Sequence, residues 1–417
     1  MTDGVADTFG APVDTESRTF RLPPMRVLFT ALAVSLVSFG GSLWFAAQQP
    51  WLGVKFRAAS DSIQVVAVDR NGAAADILFP GDRLVAIAAP GGQWMEVSAS
   101  DLIADPDEYH SFSEYNVFIE RQARLSQILR SAVVRLRLGD GREVRVQPRT
   151  DVPVYALSRQ FWMCQGFAVF TLMISTAIWS LRRKPLETRL LLLSGIGLFV
   201  GATSASLYLG REFAIDGELF RWLSTVNFSG NRLFAVAGLA LLCTYPRRVA
   251  PTSWVGILAI LEGGYLVNLV IQWLEPPVHA YYLDFVGLAV LAVLVSGRAW
   301  WLSRGRPLDR ATLKVLLLPI LLSVALVMGI YVVPTIMSGA PLMDVAGSYM
   351  LLLIMYAGLA FGVARFRLFN IERWWIRTWL WFLLGCKAPE CLDTVLHKIY
   401  AASATDVWAA RTWAGVA

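Results

Sequence analysis

The sequence predicts a polytopic α-helical membrane protein of about eight transmembrane helices, with an α+β domain inserted after the first helix. Two observations predict this fold class. Of the 417 residues, 56% are hydrophobic and only 16% are charged, whereas a soluble domain carries about 25% charged residues. The apolar residues also cluster in blocks of about 20, the length that an α-helix needs to cross a hydrocarbon core of about 30 Å.

Eight apolar blocks predict the membrane helices. Their ranges are 27–47, 160–181, 190–209, 233–245, 254–274, 282–302, 315–336 and 349–363. The first block is longer than the apolar core of a signal peptide and lacks a clean cleavage site, so we expect residues 25–47 to remain as a membrane anchor. Residues 1–24 are expected to form a disordered cytoplasmic tail, and residues 159–364 a module of seven helices.

Lysine and arginine in the short loops predict the orientation, because positive charges resist translocation. They lie in alternate loops, at residues 182–189, 247–248, 304–314 and 365–377. The loops between these contain neither residue type at 275–284 and 338–348, while the loop at 210–232 carries three arginines against three acidic residues. We therefore expect a multi-pass protein of the bacterial inner membrane with both termini in the cytoplasm. Residues 48–158 then lie outside.

The net charge of +6 follows from this loop pattern. Nucleic-acid binding would need a basic stripe on a soluble domain, and we expect no nucleic-acid partner. The expected partner of the apolar blocks is the lipid bilayer.

Residues 48–158 contain the turn and strand signals of an α+β domain. A β-branched run at 63–68 predicts a strand, Pro80-Gly81 a type II turn, and residues 83–87 a second strand. Alternation around Asp140-Gly141 predicts a hairpin over 133–146. Between these, apolar residues recur at helical spacing and predict a helix whose apolar face lies on the sheet. They are Tyr115, Phe118, Ile119, Leu125, Ile128 and Leu129.

This order of elements resembles the PDZ fold, which has a strand, a small-residue turn, an L-x-P-G-D stretch and a further strand. The residues that match this stretch are Leu78, Pro80, Gly81 and Asp82. Asp76 stands where a small residue is usual, and Ile77 where glycine takes a left-handed conformation, so we expect the turn to be rebuilt there. The alternative is an unrelated α+β domain with a Pro-Gly turn.

The resemblance implies a peptide site. PDZ domains accept a peptide as an added strand, and backbone amides of one loop receive its terminal carboxylate. The matching residues are Trp51, Leu52, Gly53 and Val54, so a peptide or small-molecule ligand is expected at the membrane surface. The alternative makes Trp51 an interfacial belt residue and residues 52–56 an ordinary core strand.

Glu262 lies near the middle of the fifth apolar block, where a carboxylate is costly unless it is paired, protonated or hydrated. In a functional interpretation Glu262 is a ligand contact, a proton-sensitive switch or the partner of an arginine. In a structural interpretation it is a protonated residue that hydrogen-bonds neighbouring helices together.

Residues 365–372, Arg-Phe-Arg-Leu-Phe-Asn-Ile-Glu, resemble the exit stretch of competence-type bacterial sensor histidine kinases at Arg365, Arg367, Asn370 and Glu372. In that family an anchor helix, an external PDZ-like domain and seven membrane helices precede a cytoplasmic kinase, which usually acts as a homodimer. The resemblance covers about residues 25–385. It implies a sensory receptor module of a two-component system.

The kinase core of that family needs a phosphoacceptor histidine and an ATP-binding domain. Residues 365–385 hold only the cytoplasmic exit and a partial apolar segment, and residues 386–417 an atypical tail. We therefore expect a truncated sensor without its transmitter, with no enzyme activity and no catalytic residue. Cys386, Cys391 and His397 lack the spacing of a structural zinc site, so we expect no metal and no cofactor.

Two other classes of membrane protein stay open. A transporter is supported by Glu262 and by prolines that permit kinked helices, Pro319 and Pro334. A relative of PDZ-containing membrane proteases is the other, although the H-E-x-x-H motif of zinc proteases is missing from the sequence.

Overall fold

The computed structural model describes residues 24–366, except for residues 60–61, 106–108, 110, 182, 184, 274–278 and 339–340. In this part of the chain, eight helices are long and apolar enough to cross a membrane. An antiparallel sheet lies between the first and the second of them along the chain. The predicted number of apolar helices of membrane-spanning length and the inserted α+β unit are both confirmed.

Ten α-helices are present among the described residues. They are α1 (Pro24–Ala47), α2 (Phe112–Leu129), α3 (Arg159–Leu181), α4 (Leu186–Leu209), α5 (Gly217–Thr244), α6 (Thr252–Ile271), α7 (His279–Leu302), α8 (Pro307–Val327), α9 (Val333–Ser338) and α10 (Val345–Phe366). A π-helical turn, Met328–Val332, joins α8 directly to α9. We call α1 and α3 to α10 the helical bundle.

Six strands form one sheet. They are β1 (Val54–Ala59), β2 (Ser62–Val68), β3 (Arg83–Ala88), β4 (Met95–Glu96), β5 (Val134–Leu138) and β6 (Glu143–Val146). Their order is β1-β2-β3-β5-β6, with β4 paired to β3. Trp51 and Arg149 bring the two ends of this unit together through their backbones. The Trp51 amide donates to the Arg149 carbonyl at 2.7 Å, and the Arg149 amide donates to the Trp51 carbonyl at 3.0 Å. We call residues 51–149 the sheet domain.

The turns of the sheet domain test the sequence predictions residue by residue. Gly81 has φ +102° and the Asp82 amide donates to the Phe79 carbonyl at 3.0 Å, which confirms the type II turn. The turn is rebuilt at this point as expected, because Asp76 takes the left-handed conformation with φ +59° and Ile77 does not. Aspartate tolerates this conformation better than a β-branched residue, since its short polar side chain can hydrogen-bond locally.

Helix α5 differs most from its predicted range. It begins at Gly217, where the Asp216 carboxylate accepts a hydrogen bond from the Leu219 amide at 3.0 Å, and not at residue 233. Hydropathy excluded residues 217–232 because they include Asn227 and Arg232, yet both side chains are buried. The prediction that residues 210–232 form a loop is therefore wrong, and Arg232 lies inside a membrane-length helix.

The sheet domain and the helical bundle each contribute residues to the hydrophobic core of the other. Leu125 and Leu129 of α2 are buried in the core of the sheet domain, as predicted. The first half of the same face does not lie on the sheet, because Phe118 and Ile119 belong to the core of the bundle. In the opposite direction, the loop between α4 and α5 contributes Phe213 to the core of the sheet domain.

The two units also approach closely in their backbones. A Cβ atom built on Gly217, the first residue of α5, would lie 2.3 Å from the Ile119 carbonyl oxygen of α2. Within the bundle, a Cβ on Gly197 of α4 would lie 2.6 Å from the Gly230 carbonyl oxygen of α5. Small residues at such crossings let helix backbones pack directly on one another.

Candidate functional site

Residues 51–54, which we call the carboxylate loop, lead from α1 into β1. Gly53 has φ +79°, and a Cβ there would lie 2.4 Å from the Cα of Gly72, so only glycine fits. The Leu52 carbonyl accepts from the Ala74 amide at 2.8 Å and the Gly53 carbonyl from the Asp69 amide at 2.7 Å. The carbonyl groups of Leu52 and Gly53 are thus fixed on the neighbouring turn, and the amides of Leu52 and Val54 are available to another partner.

That partner is the side chain of Glu212, from the loop between α4 and α5. Its Oε2 accepts from the Leu52 amide at 2.7 Å, and its Oε1 accepts from the Val54 amide at 2.5 Å. Both carboxylate oxygens are therefore held by backbone donors of the loop for which the sequence predicted carboxylate binding. The carboxylate comes from 160 residues further along the chain.

Burial raises the pKa of Glu212 to about 7, and the amides of Val54, Leu52 and Gly53 oppose that rise. The amide donors favour the charged form, while removal from water favours the neutral form. A docked Glu212 side chain consequently gains and loses its proton near neutral pH.

The residue after Glu212 fills an apolar site in the sheet domain. Phe213 is 3% exposed, and its ring lies 5.1 Å from the ring of Phe56 on β1. Arg211, on the other side of Glu212, donates to the Tyr208 carbonyl at 2.6 Å and also to the Ile103 carbonyl. The three consecutive residues therefore link the end of α4 to the sheet domain.

The alternative interpretation of Trp51 and of residues 52–56 is met in part. Trp51 is only 4% exposed, and it pairs with Arg149 inside the sheet domain, so it is not an exposed belt residue. Residues 54–56 do lie in strand β1, and Leu52 and Val54 belong to the core of the sheet domain, whereas residues 52 and 53 precede the strand.

The L-x-P-G-D residues lie elsewhere in the sheet domain and have structural contacts. Leu78 is buried at 2% exposure, and Pro80-Gly81 forms the turn before β3. The Asp82 carboxylate accepts from the Phe79 amide at 2.8 Å and from the Arg142 guanidinium at 2.8 Å. These two bonds fix the turn against the β5–β6 hairpin.

Glu262 belongs to a buried group of charges within the bundle. The Nη1 atom of Arg232 on α5 donates to Glu262 on α6 and, at 2.5 Å, to Asp284 on α7. The Arg232 side chain is 1% exposed, and its guanidinium lies 4.1 Å from the ring centre of Tyr265. We call Arg232, Glu262 and Asp284 the charge cluster. Sequence reasoning left a pairing of Glu262 with an arginine open, but it missed Arg232 by placing it in a loop.

A mostly apolar cavity of about 200 Å³ lies between α5, α7, α8 and α10. Its polar lining includes Asp105, Asn227, Asn231 and Tyr349, and the Tyr349 hydroxyl group accepts from the Asn227 amide at 2.6 Å. Cavities that bind small molecules combine such apolar walls with a few polar groups. Phe285, the residue after Asp284, also lines this cavity.

The remaining predicted residues lie at the end of the described chain or beyond it. Arg365 is in the last turn of α10, while Arg367, Asn370 and Glu372 lie outside the described residues. Among residues 24–366 as described, no group of three or more histidine, cysteine, aspartate or glutamate side chains could hold a metal ion.

Comparison of the chain with known protein families, with curated proteins and with solved structures found no match. The fold therefore defines the chain as a helical protein compatible with several membrane crossings, carrying an inserted antiparallel sheet domain.

Proposed function

We propose that this chain is the membrane sensory module of a bacterial two-component system, built like the input half of a competence-type sensor histidine kinase. The observation that carries the proposal is the reciprocal packing of the sheet domain and the bundle. A receptor needs an input domain whose rearrangement has direct consequences for the membrane helices. Contacts between α2 and α5, and between Glu212 and the carboxylate loop, provide such a connection.

The sheet domain is the input domain of this proposal, with a PDZ-like fold and a position outside the inner membrane. The confirmed type II turn at Gly81 and the carboxylate held by the loop at 51–54 support the PDZ-like assignment. The position of Arg232 inside α5 supports the orientation with both termini in the cytoplasm. It leaves the loop at 210–216 with Arg211 as its one basic residue, against Glu212 and Asp216.

The proposal is tested by phosphorylation of native bacterial membranes with labelled ATP. We expect membranes that contain the chain to differ from membranes that lack it in the amount of acid-labile phosphohistidine on a partner kinase. The purified chain should incorporate no label itself. Incorporation into the purified chain would contradict a role without catalysis, and equal phosphohistidine in both membranes would contradict a sensory role.

A matched pair of variants shows whether the effect passes through the contact between the two units. Gly217→Ala places a Cβ 2.3 Å from the Ile119 carbonyl oxygen, whereas Gly256→Ala on α6 places one where no atom lies within 4 Å. We expect the first variant to alter the phosphohistidine signal and the second to leave it unchanged.

A transporter is the second candidate function, and the charge cluster beside the cavity favours it. Intramembrane ion pairs of this kind occur on ion and proton pathways. Uptake into vesicles that contain the wild type or Glu262→Gln distinguishes the two candidates. Flux that requires the carboxyl group would replace the sensory proposal, and the absence of coupled flux would support it.

A further inference from the structure

Glu212 and Phe213 together present the two groups that end an apolar peptide. A C-terminal valine, leucine or phenylalanine carries one carboxylate and one apolar side chain on the same residue. Here the carboxylate of Glu212 meets the amides of the carboxylate loop, and the adjacent Phe213 ring packs beside Phe56 in the core of the sheet domain. The loop between α4 and α5 therefore imitates a peptide C-terminus.

We propose that Glu212 and Phe213 are a built-in occupant of the carboxylate loop, and that the external ligand which displaces them is a peptide with an apolar C-terminal residue and a free carboxylate. The inference rests on the proposed sensory function, because it makes such a peptide the signal.

The chemistry of the loop requires an occupant. Backbone amides that are shielded from water are costly to leave without an acceptor. Leu52 is 1% exposed and Val54 3% exposed, so their amides need the Glu212 oxygens or a replacement for them. A second carboxylate replaces both acceptor atoms at once.

The sheet offers the incoming peptide a place for its backbone. β1 is at one end of the strand order, and its only strand partner in the described part of the chain is β2. Extended peptides add to such an edge through main-chain hydrogen bonds. The carboxylate loop immediately precedes β1, so a peptide whose carboxylate binds there has its preceding residues beside that edge.

Displacement has a mechanical consequence because the loop between α4 and α5 is short. Residues 210–216 connect two membrane-length helices, and Asp216 also caps the start of α5. When Glu212 and Phe213 leave the sheet domain, Arg211 loses its position between Tyr208 and Ile103. The start of α5 is thereby freed from one of its connections to the input domain.

The experiment measures peptide binding to the purified full chain by fluorescence anisotropy. The probe is a fluorescein-labelled hexapeptide with a C-terminal valine, either as the free carboxylate or as the amide. If Glu212 occupies the carboxylate loop in most molecules, only the remaining molecules can bind the peptide. Removing Glu212 then raises the apparent affinity for the peptide in proportion to the increase in the fraction of molecules whose loop is unoccupied. We expect Glu212→Ala to bind the free-carboxylate peptide at least about tenfold more tightly than the wild type does. The amide should bind neither protein.

Three controls keep the test decisive. Glu218→Ala removes a carboxylate that is 74% exposed on the first turn of α5, and its affinity should equal that of the wild type. Thermal unfolding of each variant reports its folding. If Glu212→Ala is unfolded, Glu212→Gln replaces it, with an increase in affinity that is smaller but in the same direction.

Equal affinity of wild type and Glu212 variants for the peptide would overturn the proposal, as would equal binding of the amide. Binding of free valerate without binding of the peptide would overturn the assignment to a peptide. These results are independent of the phosphohistidine measurement. A peptide can bind as expected in a chain that does not signal, and a signalling chain can fail to bind it.

Discussion

Glu212 is a carboxylate whose two oxygens are satisfied by backbone amides of a different part of the molecule. Charged groups are rarely buried without such donors, because the loss of hydration has to be compensated. The contact also depends on the protonation of Glu212, because burial raises the pKa of this side chain from its ordinary value of 4.5 to about 7. Its strength therefore depends on pH in the physiological range.

The pH dependence has a definite sign. A docked side chain with a pKa of about 7 binds a proton that a free side chain with a pKa of 4.5 has already lost. Docking is therefore strongest below pH 4.5, weakens as the pH rises to about 7, and is constant above that. We expect the hydrogen-exchange protection factors at residues 210–216 of the wild type without peptide to be higher at about pH 5 than at about pH 8.

The matched control for this prediction is Glu212→Gln, which has no proton to lose at this position and should show no such change. Equal protection of residues 210–216 in the wild type at the two pH values would contradict the prediction.

Single residues also show where sequence reasoning succeeds. The carboxylate loop and the turn at Pro80-Gly81 were predictable, because their backbone conformations require glycine. The rebuilt turn was predictable because a β-branched Ile77 does not suit a left-handed conformation, but the sequence did not indicate that Asp76 would adopt it. Glu212 was missed because nothing local relates it to a loop 160 residues away. The one available signal was the apolar run that follows it, in a segment predicted to be a polar loop.

Helix α5 shows the same limit at the level of an element. A hydropathy window counts Asn227 and Arg232 as unfavourable, yet each is buried against a partner supplied by another helix. Asn227 bonds Tyr349 of α10, and Arg232 bonds acidic residues of α6 and α7. The partners of a polar residue depend on tertiary packing, so the first half of α5 could not be predicted from its own composition.

The charge cluster connects three helices through one side chain. Replacing Arg232 by glutamine leaves the buried Glu262 carboxylate and the partly exposed Asp284 carboxylate without their shared cation. Removing one partner of a buried ion pair typically costs about 3–5 kcal/mol. We expect Arg232→Gln to lower the free energy of unfolding by about this amount, measured by denaturant unfolding in detergent.

Two further variants define the result at the charge cluster. Glu262→Gln should cost less than Arg232→Gln, because Asp284 still pairs with the arginine. Arg159→Gln removes an arginine that is 76% exposed and pairs with Asp344 at 2.7 Å, and exposed pairs contribute at most about 1 kcal/mol. Equal stability of Arg232→Gln and Arg159→Gln would show that the charge cluster does not hold α5, α6 and α7 together.

In the whole molecule, helix α2 contributes residues to both the core of the sheet domain and the core of the helical bundle. The sequence predicted one apolar face for α2, and the face exists, but its two halves are covered by different units. Periodicity indicates that a side of a helix is buried without indicating what covers it. The inserted domain and the number of membrane-length helices were predictable from the sequence. The contact between the sheet domain and the helical bundle was not.

The contact between the sheet domain and the helical bundle is the basis of the mechanism that we propose for the receptor. In the proposed mechanism an external peptide competes with the loop between α4 and α5 for the same amides, so that its binding would alter how α4 and α5 are held. A ligand shifts an equilibrium only through a difference in affinity between two states. Here the two states differ in whether Glu212 or the peptide occupies the carboxylate loop.

Hydrogen exchange of the full chain in lipid nanodiscs, with and without the valine-ended peptide, tests this mechanism most directly. Saturating peptide should accelerate amide exchange at residues 210–216 and in the first turn of α5 in the wild type. In Glu212→Ala, exchange there should already be fast and should not change with peptide, and the β5–β6 turn at residues 139–142 should be unaffected in both. Peptide that binds the wild type while exchange at residues 210–216 stays unchanged or slows would contradict the account.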